Sequence, residues 1–88
     1  MKVLKFGAVW CSGCLVMKPR WKEIEVELPW LKTEYYDADE EIELTKKYGI
    51  TDYPCFIFLN KDGEEIYRDY GEIDKNKLIE IIEKFKNL

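Results

Sequence analysis

Trp10-Cys11-Ser12-Gly13-Cys14 sets two cysteines three positions apart, where a short apolar run gives way to a helical pattern. Upstream, residues Val3 to Ala8 read as a buried strand, interrupted only by the charge of Lys5. From Ser12 the period becomes helical, and Leu15, Val16, Met17, Trp21, Ile24 and Leu28 are candidates for its apolar stripe. Pro19 falls inside this helix and predicts a kink, because it removes a backbone donor; Pro29 ends the helix. The cysteine pair thus lies on a strand-to-helix turn. Three readings stand for it there: a redox couple, half of a metal site, or an inert pair.

Further along, Tyr35 to Ala38 reads as a second strand. Asp39-Glu40-Glu41 puts acid at a helix start, and Gly49 supplies a C-cap, so a short helix is predicted over Glu40 to Tyr48 with Ile42 and Leu44 turned inward. Cys55 to Leu59 is a dense strand, Asn60-Lys61-Asp62-Gly63 a turn, and Glu64 to Tyr70 its hairpin partner. Asp74 is placed to cap a last helix whose apolar face is Leu78, Ile81, Ile82 and Phe85. The first half makes a parallel βαβ unit and the hairpin adds antiparallel strands. This predicts an α/β fold with a mixed sheet and helices on both faces. Residues 1–88 are expected to form one domain.

Composition narrows the function. A net charge of −4, with no basic cluster interleaved with aromatics, predicts no nucleic-acid partner. No apolar run approaches the length of a membrane span, so no membrane partner is expected. The first residues lack a secretory h-region, and a cytoplasmic monomer is expected. Three cysteines make a poor disulfide framework, and a close pair in a reducing compartment is more often catalytic or metal-binding than structural. The chain has no histidine, which weakens the zinc reading; Cys55 and a carboxylate would have to complete the site. The prediction is no metal.

The element order, with the cysteine pair on the first strand-to-helix turn, resembles the thioredoxin family. Trp10 to Cys14 resembles that family's W-C-x-x-C, and Pro19 stands where its kinking proline falls. Tyr48-Gly49-Ile50-Thr51-Asp52-Tyr53-Pro54 resembles the approach to its cis-proline. Lys61-Asp62-Gly63-Glu64 and Gly71 resemble its hairpin turn and late glycine. A glutaredoxin reading fits less well, since Tyr53-Pro54 lacks the preceding Thr-Val and Gly71-Glu72-Ile73-Asp74 lacks a double glycine. The resemblance implies a trimmed thioredoxin-like fold, with a four-stranded sheet in the order 2-1-3-4 and three helices. It implies a thiol–disulfide oxidoreductase acting on protein disulfides, recharged by a reductase or reductant. No cofactor is implied beyond the Cys11–Cys14 disulfide. The alternatives are a redox-sensing adaptor without turnover and a small metal-binding domain.

Within that resemblance Cys11 is the nucleophile and Cys14 the resolving thiol. The attacking species is the thiolate, which a helix N-terminus stabilises. Ser12 can add a donor, and Gly13 lets the backbone turn tightly. Trp10, Tyr53, Pro54 and Gly71 are the expected substrate contacts. Trp10 offers a flat apolar surface, or else packs in the core. Pro54, cis by resemblance, places the Tyr53 backbone to pair with an extended substrate. Three departures from the family pattern stand out. Ser12-Gly13 replaces Gly-Pro. Cys55 follows the proline, as a core hydrophobe or a third redox thiol. Lys5 stands where a buried aspartate is usual. It either snorkels to the surface or sets its ammonium behind the cysteines, favouring thiolate and a more oxidising couple.

Overall fold

The computed structural model describes residues 1–88. The elements run β1 (Lys2–Gly7), α1 (Ser12–Glu27), β2 (Lys32–Asp37), α2 (Ile42–Lys47), β3 (Cys55–Leu59), β4 (Glu65–Tyr70) and α3 (Lys75–Phe85). They form one four-stranded sheet in the order β2-β1-β3-β4. β1 pairs parallel with β2 and antiparallel with β3, and β3 pairs antiparallel with β4. The expected mixed sheet with three helices is the architecture found.

Strand alternation divides the core in two. Val3, Phe56 and Phe58 point to one face and pack with Met17, Trp21 and Ile24 of α1 and Leu78, Ile81 and Ile82 of α3. Leu4, Phe6, Cys55, Ile57 and Leu59 point to the other face, under Leu44 and Tyr48. β3 is buried along its whole length because it lies inside the sheet with both faces covered. β2 has a single neighbour, and its Lys-Thr-Glu-Tyr-Tyr-Asp sequence suits an edge.

Several details differ from the sequence expectation. The stripe of α1 is narrower, with only Met17, Trp21 and Ile24 buried; Leu15 and Val16 are exposed and Leu28 only packs at the margin. These three fall at i, i+4 and i+7, one line down the helix, whereas Leu15 borders the cavity that Cys14 lines and Val16 is turned to solvent. α1 runs from Ser12 to Glu27 through Pro19. Ile42 is exposed, and Leu44 is the inward residue of α2. That helix starts later than expected because the amides of Glu40 and Glu41 turn back onto the Asp37 carbonyl (3.1 and 2.8 Å). Asp74 occupies the N-cap of α3 without a side-chain capping bond; its carbonyl accepts from the Leu78 amide at 3.0 Å.

Candidate functional site

The site is built at the N-terminus of α1. Cys11 is the N-cap, in extended conformation (φ −93°, ψ 111°). Its Sγ accepts a hydrogen bond from the Cys14 amide at 3.2 Å, in the way a serine or aspartate oxygen caps a helix. The first turn of α1 holds no carboxylate. A negative sulfur at Cys11 therefore meets free amides and the positive end of the helix dipole with no acid on that turn to oppose it. Cys11 and Cys14 are joined as a disulfide, their Cα atoms 5.3 Å apart.

The two cysteines open onto different spaces. Cys11 lines an outer groove of about 390 Å³ that brings together Trp10, Ser12, Gly13, Tyr53, Pro54 and Gly71. These are the sequence-predicted residues of the outer site, and Glu72 joins them. Trp10 is 64% exposed, not packed in the core. Its Nε1 donates to Asp39 at 3.0 Å, and its ring meets Tyr53 edge-on at 5.8 Å. The Tyr53–Pro54 bond is cis. The Gly71 amide donates to the Pro54 carbonyl at 2.8 Å, and Gly71 has φ +85°, a value that favours glycine. A Cβ on Gly13 would lie 3.1 Å from Pro54 Cδ, so glycine is what lets the helix start approach the cis-proline.

Cys14 lines a separate cavity of about 420 Å³ between α1 and the upper ends of β1 and β2, with Lys5, Gly7, Tyr35 and Asp37. Lys5 projects from β1 to the α1 side, but its ammonium is paired. Nζ donates to Glu25 Oε2 at 2.8 Å and lies 5.7 Å from the centre of the Trp21 ring. Thr33 Oγ1 donates to the same carboxylate oxygen at 2.9 Å. Cys55 lies on the opposite face of the sheet, fully buried, and lines neither space. Burial pushes its thiol up to about 11. No group of three or more Cys, Asp or Glu side chains is assembled that would hold a metal ion.

A family model for thioredoxin matches residues 1–84. The chain belongs to the thioredoxin family. It is 32% identical over 82 residues to a thioredoxin of Chlamydia muridarum, covering 93% of this chain and 79% of that protein. It is 35% identical over 80 residues to the thioredoxin of Bacillus subtilis, covering 90% and 76%. Among solved structures, Fasciola hepatica thioredoxin superposes with a TM-score of 0.88 at 34% identity, covering 97% of this chain and 80% of that one. Thioredoxin NaTrxh of Nicotiana alata superposes with a TM-score of 0.89 at 28% identity, covering 97% and 72%.

This member of the thioredoxin family is a thiol–disulfide oxidoreductase, a protein-disulfide enzyme working through its Cys11–Cys14 couple. Five residues around the couple escaped the sequence reading: Glu25, Tyr35, Asp37, Asp39 and Glu72. Four come from other elements or loops and Glu25 from the far end of α1, so no local motif announces them. Parallel register was the one available signal, since β1 pairing with β2 sets Tyr35 beside Lys5 and Asp37 beside Gly7.

Proposed function

We propose that Cys11 is the attacking thiolate and Cys14 the resolving thiol in exchange with protein disulfides. The observation that carries this is the N-cap position of Cys11, with its sulfur on the Cys14 amide. Exposure does not make the assignment, because Cys11 is the more buried of the two residues. What favours Cys11 is that its sulfur receives the cap hydrogen bond and borders the outer groove. In the reducing direction the Cys11 thiolate attacks one sulfur of the substrate disulfide and the other leaves with the electron pair. The Cys14 thiol then loses its proton and attacks Cys11 Sγ. The Cys11–Cys14 bond forms as the second substrate sulfur departs, and both leaving thiolates take up protons.

Trp10 and Tyr53 form the aromatic wall against which an extended substrate segment lies. The Tyr53 backbone pairs with that segment, and Gly71 leaves room for its passage. Ser12 and Gly13 tune the couple, the first by its hydroxyl and the second by the close approach to Pro54. Lys5 acts on the couple from behind Cys14 with its charge matched by Glu25. The chain works as a cytoplasmic monomer with no added cofactor, recharged by a reductase or a small dithiol.

Insulin reduction driven by a dithiol tests the reading. The parent is expected to turn over, Cys11→Ser to lose turnover, and Cys14→Ser to stop at one stable mixed disulfide. A parent that binds insulin without reducing it would make the chain an adaptor instead. A Cys14→Ser protein that still completes the exchange would overturn the assignment of the resolving thiol.

A further inference from the structure

Gly7 leaves a gap in the sheet beneath Cys14. A Cβ at Gly7 would lie 2.9 Å from Tyr35 Oη and 3.1 Å from Cys14 Sγ, so hydroxyl and sulfur border the same small space. Tyr35 projects from the edge strand β2 beside Lys5 and is 57% exposed as a residue. Partial burial, then the nearby Asp37 charge, hold the phenol above its ordinary range. It is therefore a neutral donor across physiological pH. The other charged groups bordering the cavity with Cys14 are Lys5 of β1, Lys18 of α1 and Asp37 of β2; β3 and the loop before it contribute only Phe56 and Pro54. Lys5 is bound to Glu25, and Asp37 accepts from the Asp39 amide at 2.8 Å.

We propose that the Tyr35 hydroxyl donates a hydrogen bond to the Cys14 sulfur as that thiol ionises, which makes Tyr35 a catalytic residue of the resolving step. This rests on Cys14 being the resolving thiol. In the mixed disulfide Cys11 Sγ is bonded to a substrate sulfur and Cys14 carries its proton. The proton passes to solvent water entering the open cavity, and Tyr35 donates to the thiolate left behind while keeping its own proton. The thiolate attacks Cys11 Sγ, the Cys11–Cys14 bond forms, and the Cys11–substrate bond breaks. The electron pair leaves on the substrate sulfur, which takes a proton from water. Two electrons have then passed from the dithiol to the substrate disulfide.

Reaction of the reduced protein with dithiobis(nitrobenzoate) separates the steps. Attack by Cys11 releases one thionitrobenzoate, and resolution by Cys14 releases the second. In Tyr35→Phe the first release is expected to be unchanged. The second is expected to slow about tenfold near neutral pH, the lower end of what a hydrogen bond to a charged group is worth. The deficit should close as the pH passes the ordinary thiol pKa of about 8.5, where the thiolate forms without help. Equal slowing of both releases, no slowing, or a deficit that persists in alkali overturns the proposal. Tyr35 is exposed, so the variant is expected to unfold at the parent's temperature. Cys55 is a free thiol, so the control is made in a Cys55→Ala background: there Cys14→Ser must release one equivalent, and if it releases two, the resolving-thiol assignment fails first and the role of Tyr35 with it.

Discussion

Three cysteines gather at one end of the sheet, and their surroundings make two of them a couple and the third a piece of core. Cys11 caps a helix, with a backbone amide on its sulfur and no acid in the turn that follows. Cys55, on the first position of β3, faces Leu4, Phe6 and Ile57 on the far side of the sheet. The same thiol is offered stabilisation of its charge in one place and refused it in the other. Nearness to the redox centre therefore does not decide reactivity; the polarity of the first few ångströms does.

The largest expected effect breaks this comparison outright. Cys11→Ser should lower insulin turnover by at least roughly a thousandfold, since on the proposed assignment it removes the covalent nucleophile and leaves only binding and positioning. Cys55→Ala should leave turnover within about twofold and cost about 1–2 kcal/mol of stability, measured by urea unfolding, because it deletes a fully buried sulfur from a packed layer. A Cys55→Ala protein that folds like the parent and loses turnover would make Cys55 a third redox thiol.

A smaller effect sharpens the same contrast through pH. The Cys55 thiol moves from an unfolded value of 9.0 to about 11 in the fold, because burial penalises its thiolate. Across that window the folded chain keeps a proton that the unfolded chain has lost, so stability falls as pH rises from 9 towards 11. The loss from this one group is of order 2 kcal/mol. Tyr36, held up at about 12 first by its hydrogen bond to Glu34, adds a loss of the same sign at higher pH. Urea unfolding of the oxidised protein at stepped pH should show the decline, and Cys55→Ala should show a shallower one between 9 and 11. Identical slopes would mean that Cys55 ionises as easily folded as unfolded.

What could be read from the chain follows the same division. β3 and the hairpin turn were legible because five consecutive apolar residues and the Asn-Lys-Asp-Gly turn permit little else. The couple's place at the start of α1 was legible because its motif is local. Leu15 and Val16 were misread as core because their period fits a helix, and only tertiary packing reveals that the first turn borders an open site. Ile42 failed for a related reason, since α2 is too short to bury more than one edge. The surroundings of Cys14 were hidden most completely. They are assembled by parallel register between β1 and β2, which no stretch of either strand encodes alone.

Lys5 gives the smallest expected effect and the most discriminating one. Its ammonium shares the cavity of Cys14, yet Glu25 holds it at 2.8 Å and Thr33 steadies that carboxylate. A matched pair presents little net field to the sulfurs, whereas a lone ammonium would favour thiolate and raise the reduction potential. Glu25→Gln should uncover the charge. The side chain of Lys5 is only 15% exposed, so the variant should also lose about 1–2 kcal/mol of stability. Equilibration with a glutathione buffer should then place the couple higher than the parent by under about 30 mV, a shift equivalent to ~1.4 kcal/mol for two electrons. Lys5→Met in the Glu25→Gln background should return it towards the parent. If Glu25→Gln leaves the potential where it was, Lys5 acts on the couple only by filling space, and the two sides of the sheet differ through the helix cap alone.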